Sequence, residues 1–218
     1  MLARTDPFAD LGRWKPTEGD PMANDSRPTA AQAWQMMLEG NGRWQRDERE
    51  DPRRSAEERA AAVAGQTPAA MILSCSDSRV PAELVFDLGL GDLFVVRTAG
   101  QVVDDAVLGT LAFGAGALGI PLLVVLGHSQ CGAVKAAVSV AAGQPAPAPS
   151  TLGALVGDIV PVCEGEGEGA VAGAVDANVR RVVAQLTSDP SLSGAVCNNH
   201  LTIIGARYDL ETGAVLEV

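Results

Sequence analysis

"PLLVVLGHSQCGAVKAAVSVAAG", residues 121–143, changes character in its middle. "PLLVVLG" (121–127) is the most apolar strand-like run in the chain, and "CGAVKAAVSVAAG" (131–143) reads as a helix. The same order recurs upstream. "AAMILS" (69–74) precedes a helical "VPAELVFDLG" (80–89), and "DLFVVRTAG" (92–100) precedes a small-residue helix, "DAVLGTLAFGAGALG" (105–119). Short continuous Val/Leu/Ile runs alternating with helices predict a parallel sheet covered on both faces. The chain ends on "HLTIIGARYDLETGAVLEV" (200–218), two strands joined at "LETG", which adds an antiparallel edge. The expected fold class is therefore α/β: a mostly parallel central sheet of about four parallel strands plus an antiparallel edge strand, flanked by helices.

The flanking segments fill in the covering layers. Residues 1–24 are rich in Pro, Gly and Asp and read as a flexible leader, leaving 25–218 as one domain. "TAAQAWQMMLEGNGRWQRD" (29–47) starts on a Thr cap and carries Ala33, Trp34, Met37 and Leu38 at helical spacing, with a break expected at "GNG". "SAEERAAAVAGQTP" (55–68) is a short helix with Ser55 and Glu58 in capping-box positions. "GQPAPAPSTLG" (143–153) reads as a proline-rich connection and "CEGEGEGAVAG" (163–173) as an acidic loop. "VDANVRRVVAQLTSD" (175–189) puts Val175, Val179, Val182, Val183 and Leu186 on one face of a helix.

The totals narrow the function. With 218 residues, 47% hydrophobic and 20% charged, the chain can bury a full core. A net charge of −11 and the lack of any basic cluster beyond "DPRRS" (51–55) argue against nucleic acid. No signal-peptide pattern opens the chain, and no apolar run reaches the ~20 residues of a membrane span. The expectation is a cytoplasmic protein with no membrane partner, in which four cysteines serve as reduced, metal-bound or catalytic thiols rather than disulfides.

Two segments carry the chemistry. "AAMILSCSDSR" is a strand followed by Cys75, Asp77 and Arg79; "PLLVVLGHSQCG" is a strand followed by His128 and Cys131. In parallel α/β sheets function sits beyond the carboxyl ends of the strands, where both clusters fall. Two thiolates and an imidazole suit zinc, and three protein ligands leave a fourth position open, as in catalytic sites. If the stretch after Cys75 stays extended, residues 75, 77 and 79 point to one side. Asp77 then accepts a hydrogen bond from a water on the metal, or binds the metal itself, while Arg79 grips the carboxylate bidentately. Taken singly, each residue also fits a bland role: core thiols, a turn histidine, a surface ion pair.

Together, "CSDSR", "RVPAE", "FVVRTAG" and "HSQC" resemble the β-class carbonic anhydrases, over about residues 29–216. The resemblance implies one Zn²⁺ per chain on Cys75, His128 and Cys131, and an activating dyad of Asp77 and Arg79, with Asp77 as a fourth ligand in a closed state. It implies substrate-binding roles for Gln66, for Phe94 in the apolar CO₂ pocket, and for Gly132, where a side chain would crowd the substrate. Phe113 stands, after Ala112, where many members have Glu-Tyr, keeping a ring and losing a hydroxyl. It further implies a homodimer or dimer-based oligomer with an N-terminal helical arm, the helix of Trp34, around the partner. One subgroup has a second bicarbonate site that includes a tryptophan; that position is Ile72 here, so the site is not expected, although Arg97 and Tyr208 match its other members.

The implied reaction is reversible hydration of CO₂ to bicarbonate and a proton, by attack of zinc-bound hydroxide on CO₂ in an apolar pocket. A centre with two thiolates has near-zero net charge and acidifies its water less than an all-histidine site, so turnover should strengthen above neutral pH. His200 is the other histidine, a shuttle candidate or a surface residue. Two rivals stand beside it: a hydrolase of CS₂ or COS on this scaffold with identical ligands, and a non-catalytic zinc or thiol module, such as a redox sensor using Cys75 and Cys131 or an interaction protein using the acidic loop at 163–169, in which Asp77 and Arg79 would have no task.

Overall fold

The computed structural model describes residues 27–218, so the leader expected at 1–24 lies outside the described residues. Five strands form one sheet in the order β2-β1-β3-β4-β5. They are β1 (Ala70–Cys75), β2 (Leu93–Thr98), β3 (Leu122–His128), β4 (Thr202–Tyr208) and β5 (Val215–Glu217). The first four pair in parallel and β5 runs antiparallel to β4. The central strands β1 and β3 are buried at every position, which is why they are continuous apolar runs rather than alternating ones.

The described residues also form eight α-helices: α1 (Ala30–Gln45), α2 (Ala56–Ala61), α3 (Ala82–Val85), α4 (Asp105–Gly116), α5 (Gly132–Ala141), α6 (Ser150–Gly157), α7 (Gly167–Ser188) and α8 (Pro190–Cys197). On one face, Ile72, Val124 and Leu126 pack with Met37 of α1 and Phe86. On the other, Met71, Leu73, Leu123 and Val125 meet Leu111 of α4 and Val179 and Val182 of α7. The capping boxes at Thr29 and Ser55 form as their sequences require.

Three local expectations are corrected. The helix from 30 does not break at Gly40-Asn41-Gly42 but runs to Gln45. Gly40 lies against α3 so closely that a Cβ there would be 1.8 Å from the Phe86 carbonyl oxygen. Beside it, buried Asn41 donates to Val85 O (3.0 Å) and Gly213 O (2.8 Å) and accepts from Val215 N (2.9 Å). Tertiary contacts thus outweigh the helix-breaking propensity of the triplet. The second correction is "VPAELVFDLG", which is helical for a single turn at Ala82–Val85 before Asp87 turns the chain at φ 47°. The third concerns helical segments read as loop or left unassigned: α6 starts inside the proline-rich connection, α7 begins at Gly167 within the acidic segment, and α8 follows at once.

Candidate metal centre

Because β1 and β3 are parallel neighbours, with Ser74 opposite Leu126, their carboxyl ends lie side by side. Cys75 is the last residue of β1 and His128 the last of β3; Cys131 is the N-cap of α5. All three are buried, and their ligand atoms lie within 4.8 Å of one another. The two Sγ atoms are 3.9 Å apart. Sulfurs at ~2.3 Å from a tetrahedral zinc would be about 3.8 Å apart. His128 Nδ1 is 2.8 Å from the Ser129 carbonyl, an acceptor only, so Nδ1 carries the proton and Nε2 presents a lone pair. That Nε2 is buried without a hydrogen-bond partner among the described residues. An orphaned imidazole nitrogen facing two close sulfurs fits a soft divalent cation. Without one, the two sulfurs compete for charge: the Cys131 S–H pulls the Cys75 thiol down, and the Cys75 sulfur pushes Cys131 up.

Asp77 and Arg79 sit beside this trio, though not by extended alternation. The strand stops at Cys75, and a turn closes with Val80 N donating to Asp77 O at 3.0 Å. Asp77 Oδ1 accepts from the Arg79 backbone N–H (3.0 Å) and from Nε (2.9 Å), while Oδ2 accepts from Nη2 (2.6 Å). This is an Asx turn reinforced by a bidentate guanidinium. The Arg79 side chain is therefore the main reason that the Asp77 carboxyl is held well below the usual carboxylate range; burial opposes it, and the Arg79 backbone N–H adds to it. Asp77 Oδ2 lies 3.8 Å from His128 Nε2. Arg97 fixes the turn from the β2 side, donating to Cys75 O (3.0 Å) and Asp77 O (2.7 Å).

The other expected site residues divide into two groups. Gly132 adjoins Cys131, and a Cβ built on it meets nothing within 4 Å, so space is open there. Gln66, Phe94 and Phe113 are not near the trio of their own chain. Gln66 is exposed and precedes β1, whose six residues span about 16 Å before Cys75 is reached. Phe94 pairs with Met71, four rows before the Thr98–Cys75 pair. It packs 6.3 Å from the ring of Phe113, which is 51% exposed. His200 is exposed and precedes β4, whose far end pairs with His128. Ile72 is fully buried, and the Tyr208 hydroxyl accepts from Trp44 Nε1 at 3.1 Å.

One set of contacts has no local signature. Gly100, at φ 64°, donates its N–H to Cys75 Sγ at 3.3 Å. Its carbonyl accepts from Asn178 Nδ2 at 3.0 Å, and Asn178 Oδ1 accepts from Arg181 Nη2 at 3.0 Å. The available signal was Asn178 itself, a polar residue in phase with the apolar face of α7 between Val175, Val179 and Val182.

A model of the family described as "Carbonic anhydrase" matches residues 70–215. Carbonic anhydrase 2 of Mycobacterium tuberculosis is 40% identical over 197 residues, covering 87% of this chain and 92% of the relative. The Pseudomonas aeruginosa carbonic anhydrase is 32% identical over 189 residues, covering 82% and 84%. Among solved structures, the Coccomyxa β-carbonic anhydrase in complex with acetazolamide superposes with a TM-score of 0.67 at 26% identity, covering 83% of this chain and 84% of that one.

Proposed function

This chain belongs to the β-carbonic anhydrase family, and from that premise we propose that it hydrates CO₂ reversibly to bicarbonate and a proton at one zinc ion per chain, held by Cys75, His128 and Cys131. The observation that carries the reading is the buried trio itself, with sulfurs 3.9 Å apart and an unpartnered His128 Nε2, flanked by an ion-paired carboxylate. When bound, zinc supplies a Lewis acid that makes water nucleophilic near neutral pH. Asp77 offers an anionic acceptor at the open side of the trio, and Arg79 fixes its orientation and keeps it off the metal. Gly132 leaves room for a small planar substrate.

Gln66, Phe94 and Phe113 take part through a homodimer or a dimer-based oligomer, each completing the site of a second copy. Support comes from β2, an edge strand with half-buried side chains along most of its length, and from the exposed ring of Phe113 beside it. Four free cysteines favour a reducing compartment, and we assign the protein to the cytoplasm as a single domain over 25–218. No helix among the described residues is long and apolar enough to cross a membrane. The same ligands would serve CS₂ or COS; the carbonic anhydrase relatives favour CO₂. A thiol sensor would leave the Asp77–Arg79 pair without a task.

The test is stopped-flow CO₂ hydration with a pH indicator, on zinc-quantified protein, for wild type and Asp77→Asn. One zinc per chain in both, with turnover in the wild type and a loss of about 10–100-fold in the variant, is the expected result. Zinc-loaded wild type inert toward CO₂ at every pH would overturn it.

A further inference from the structure

We infer that Asn178 and Arg181 of α7 are positioning residues for the Cys75 ligand, acting on it through Gly100. The inference rests on Cys75 being a metal thiolate and goes beyond it by assigning two residues 47 and 50 positions downstream of the last ligand.

The contacts form one unbroken line. Arg181 donates to Asn178 Oδ1 from Nη2 at 3.0 Å and from Nε at 3.3 Å. Asn178 Nδ2 donates to Gly100 O at 3.0 Å, and Gly100 N–H donates to Cys75 Sγ at 3.3 Å. The chemistry of the two ends fixes the amide between them. A guanidinium only donates and a carbonyl only accepts, so Asn178 must turn its oxygen to Arg181 and its NH₂ to Gly100.

What is held needs holding. Gly100 and Gln101 both have left-handed backbone, at φ 64° and 47°. For Gln101 that conformation is strained. A Cβ on Gly100 would lie 2.7 Å from Ile159 Cδ1 and 3.1 Å from Ala133 Cβ, and at φ 64° glycine takes this backbone without strain. The Asn178 amide supplies the anchor. It is fully buried on a helix face otherwise apolar, a placement that an asparagine occupies at a cost unless both ends of its amide are paired. With Gly100 O anchored, its N–H stays aimed at the sulfur. A hydrogen bond to a metal thiolate withdraws electron density from sulfur and so leaves the metal more electrophilic.

Cobalt(II)-substituted holoprotein tests this, because thiolate-to-cobalt charge transfer reports the electron density on sulfur directly. Asn178→Asp cannot donate to Gly100 O. Arg181→Met, at a half-buried position, removes the donors to Asn178 while keeping an aliphatic stem, and Arg181→Lys keeps a donor. The expected result is a shift of the charge-transfer band to longer wavelength in Asn178→Asp and, less far, in Arg181→Met, with Arg181→Lys restored toward wild type. Turnover per bound metal should fall about tenfold in Asn178→Asp. Cobalt-loaded Arg181→Met and Asn178→Asp with the wild-type band would overturn the inference and leave the metal site standing. If Asn178→Asp does not fold, the Arg181→Met and Arg181→Lys pair decides alone. A wild-type cobalt protein without a thiolate band would instead overturn the ligand role of Cys75, and this inference with it.

Discussion

Replacing Gly40 by alanine should destabilise the protein, although the same change in an exposed helix normally does the opposite. A Cβ at position 40 would lie 1.8 Å from Phe86 O and 2.8 Å from Phe86 C, both backbone atoms that cannot swing aside. Restoring an ordinary contact of about 3.4 Å requires α1 to retreat by roughly 1.6 Å, an overpacking strain of about 1–3 kcal/mol. That retreat also stretches the neighbouring Asn41 bonds, now 3.0, 2.8 and 2.9 Å, beyond hydrogen-bond range. Each is worth about 1 kcal/mol, and the gain from Gly to Ala in a helix returns only about 1 kcal/mol. The net loss is about 3–5 kcal/mol, which for a chain of this size is a fall in Tm of about 6–20 °C. Gly42→Ala, two residues on, is the control: its Cβ would meet only the flexible tip of Arg46, at 3.3 Å. It should gain about 0.5–1 kcal/mol. Urea denaturation of both variants, with m-values compared, measures the difference. A Gly40→Ala protein as stable as Gly42→Ala would refute the close-packing argument for the unbroken helix.

Asp87→Asn probes a second anchor of α1. The buried Asp87 carboxylate accepts from Arg43 Nε at 2.6 Å and from the Glu50 and Asp51 N–H groups at 3.0 Å. Burial alone would raise its pKa, but these donors outweigh it and the net shift is downward. Its contribution is therefore complete above the unfolded value of about 3.9 and lost as pH falls through the lower folded value. At pH 7 the variant should lose about 3 kcal/mol or more, and the gap to wild type should narrow in unfolding curves taken below about pH 4. Chelation gives a third expectation. Zinc at about 100 times its Kd stabilises by ~2.7 kcal/mol, so stripping it should lower Tm by about 5–10 °C. Thiol titration should then find Cys75 and Cys131 newly reactive, whereas exposed Cys197 reacts with or without metal.

Legibility in the sequence followed the range of the forces involved. The strands β1 and β3 were readable because burial on both faces writes itself as an unbroken apolar run. The candidate ligands Cys75, His128 and Cys131 could be picked out because each closes such a run or opens the helix after it. The Gly40-Asn41-Gly42 triplet misled because its local preference is for breaking, and what overrides it is Phe86, in a different element. Asp77 and Arg79 were recognisable by type, yet their meeting depends on an Asx turn rather than on strand alternation. Gln66 and Phe94 lie near their motifs in the chain and far from the trio in space, because the amino and carboxyl ends of a strand are different places. Asn178 touches the site through a contact spanning 78 residues, which no window of sequence contains.

The strand order has a consequence in time. Cys75 is made 56 residues before Cys131, and β1 meets β3 only after β2 and α4 have been passed over. Until that crossover closes, the chain offers Cys75 alone and, apart from it, the adjacent His128 and Cys131, and neither part is a three-point site. The buried three-point site comes into being with the pairing of Ser74 and Leu126. Metal capture at this trio would thereby be postponed until the sheet exists, and a tightly held ion would certify a correctly ordered chain. Newly synthesised protein should acquire zinc in a single late step that tracks the formation of β1–β3 pairing, with no half-loaded species along the way.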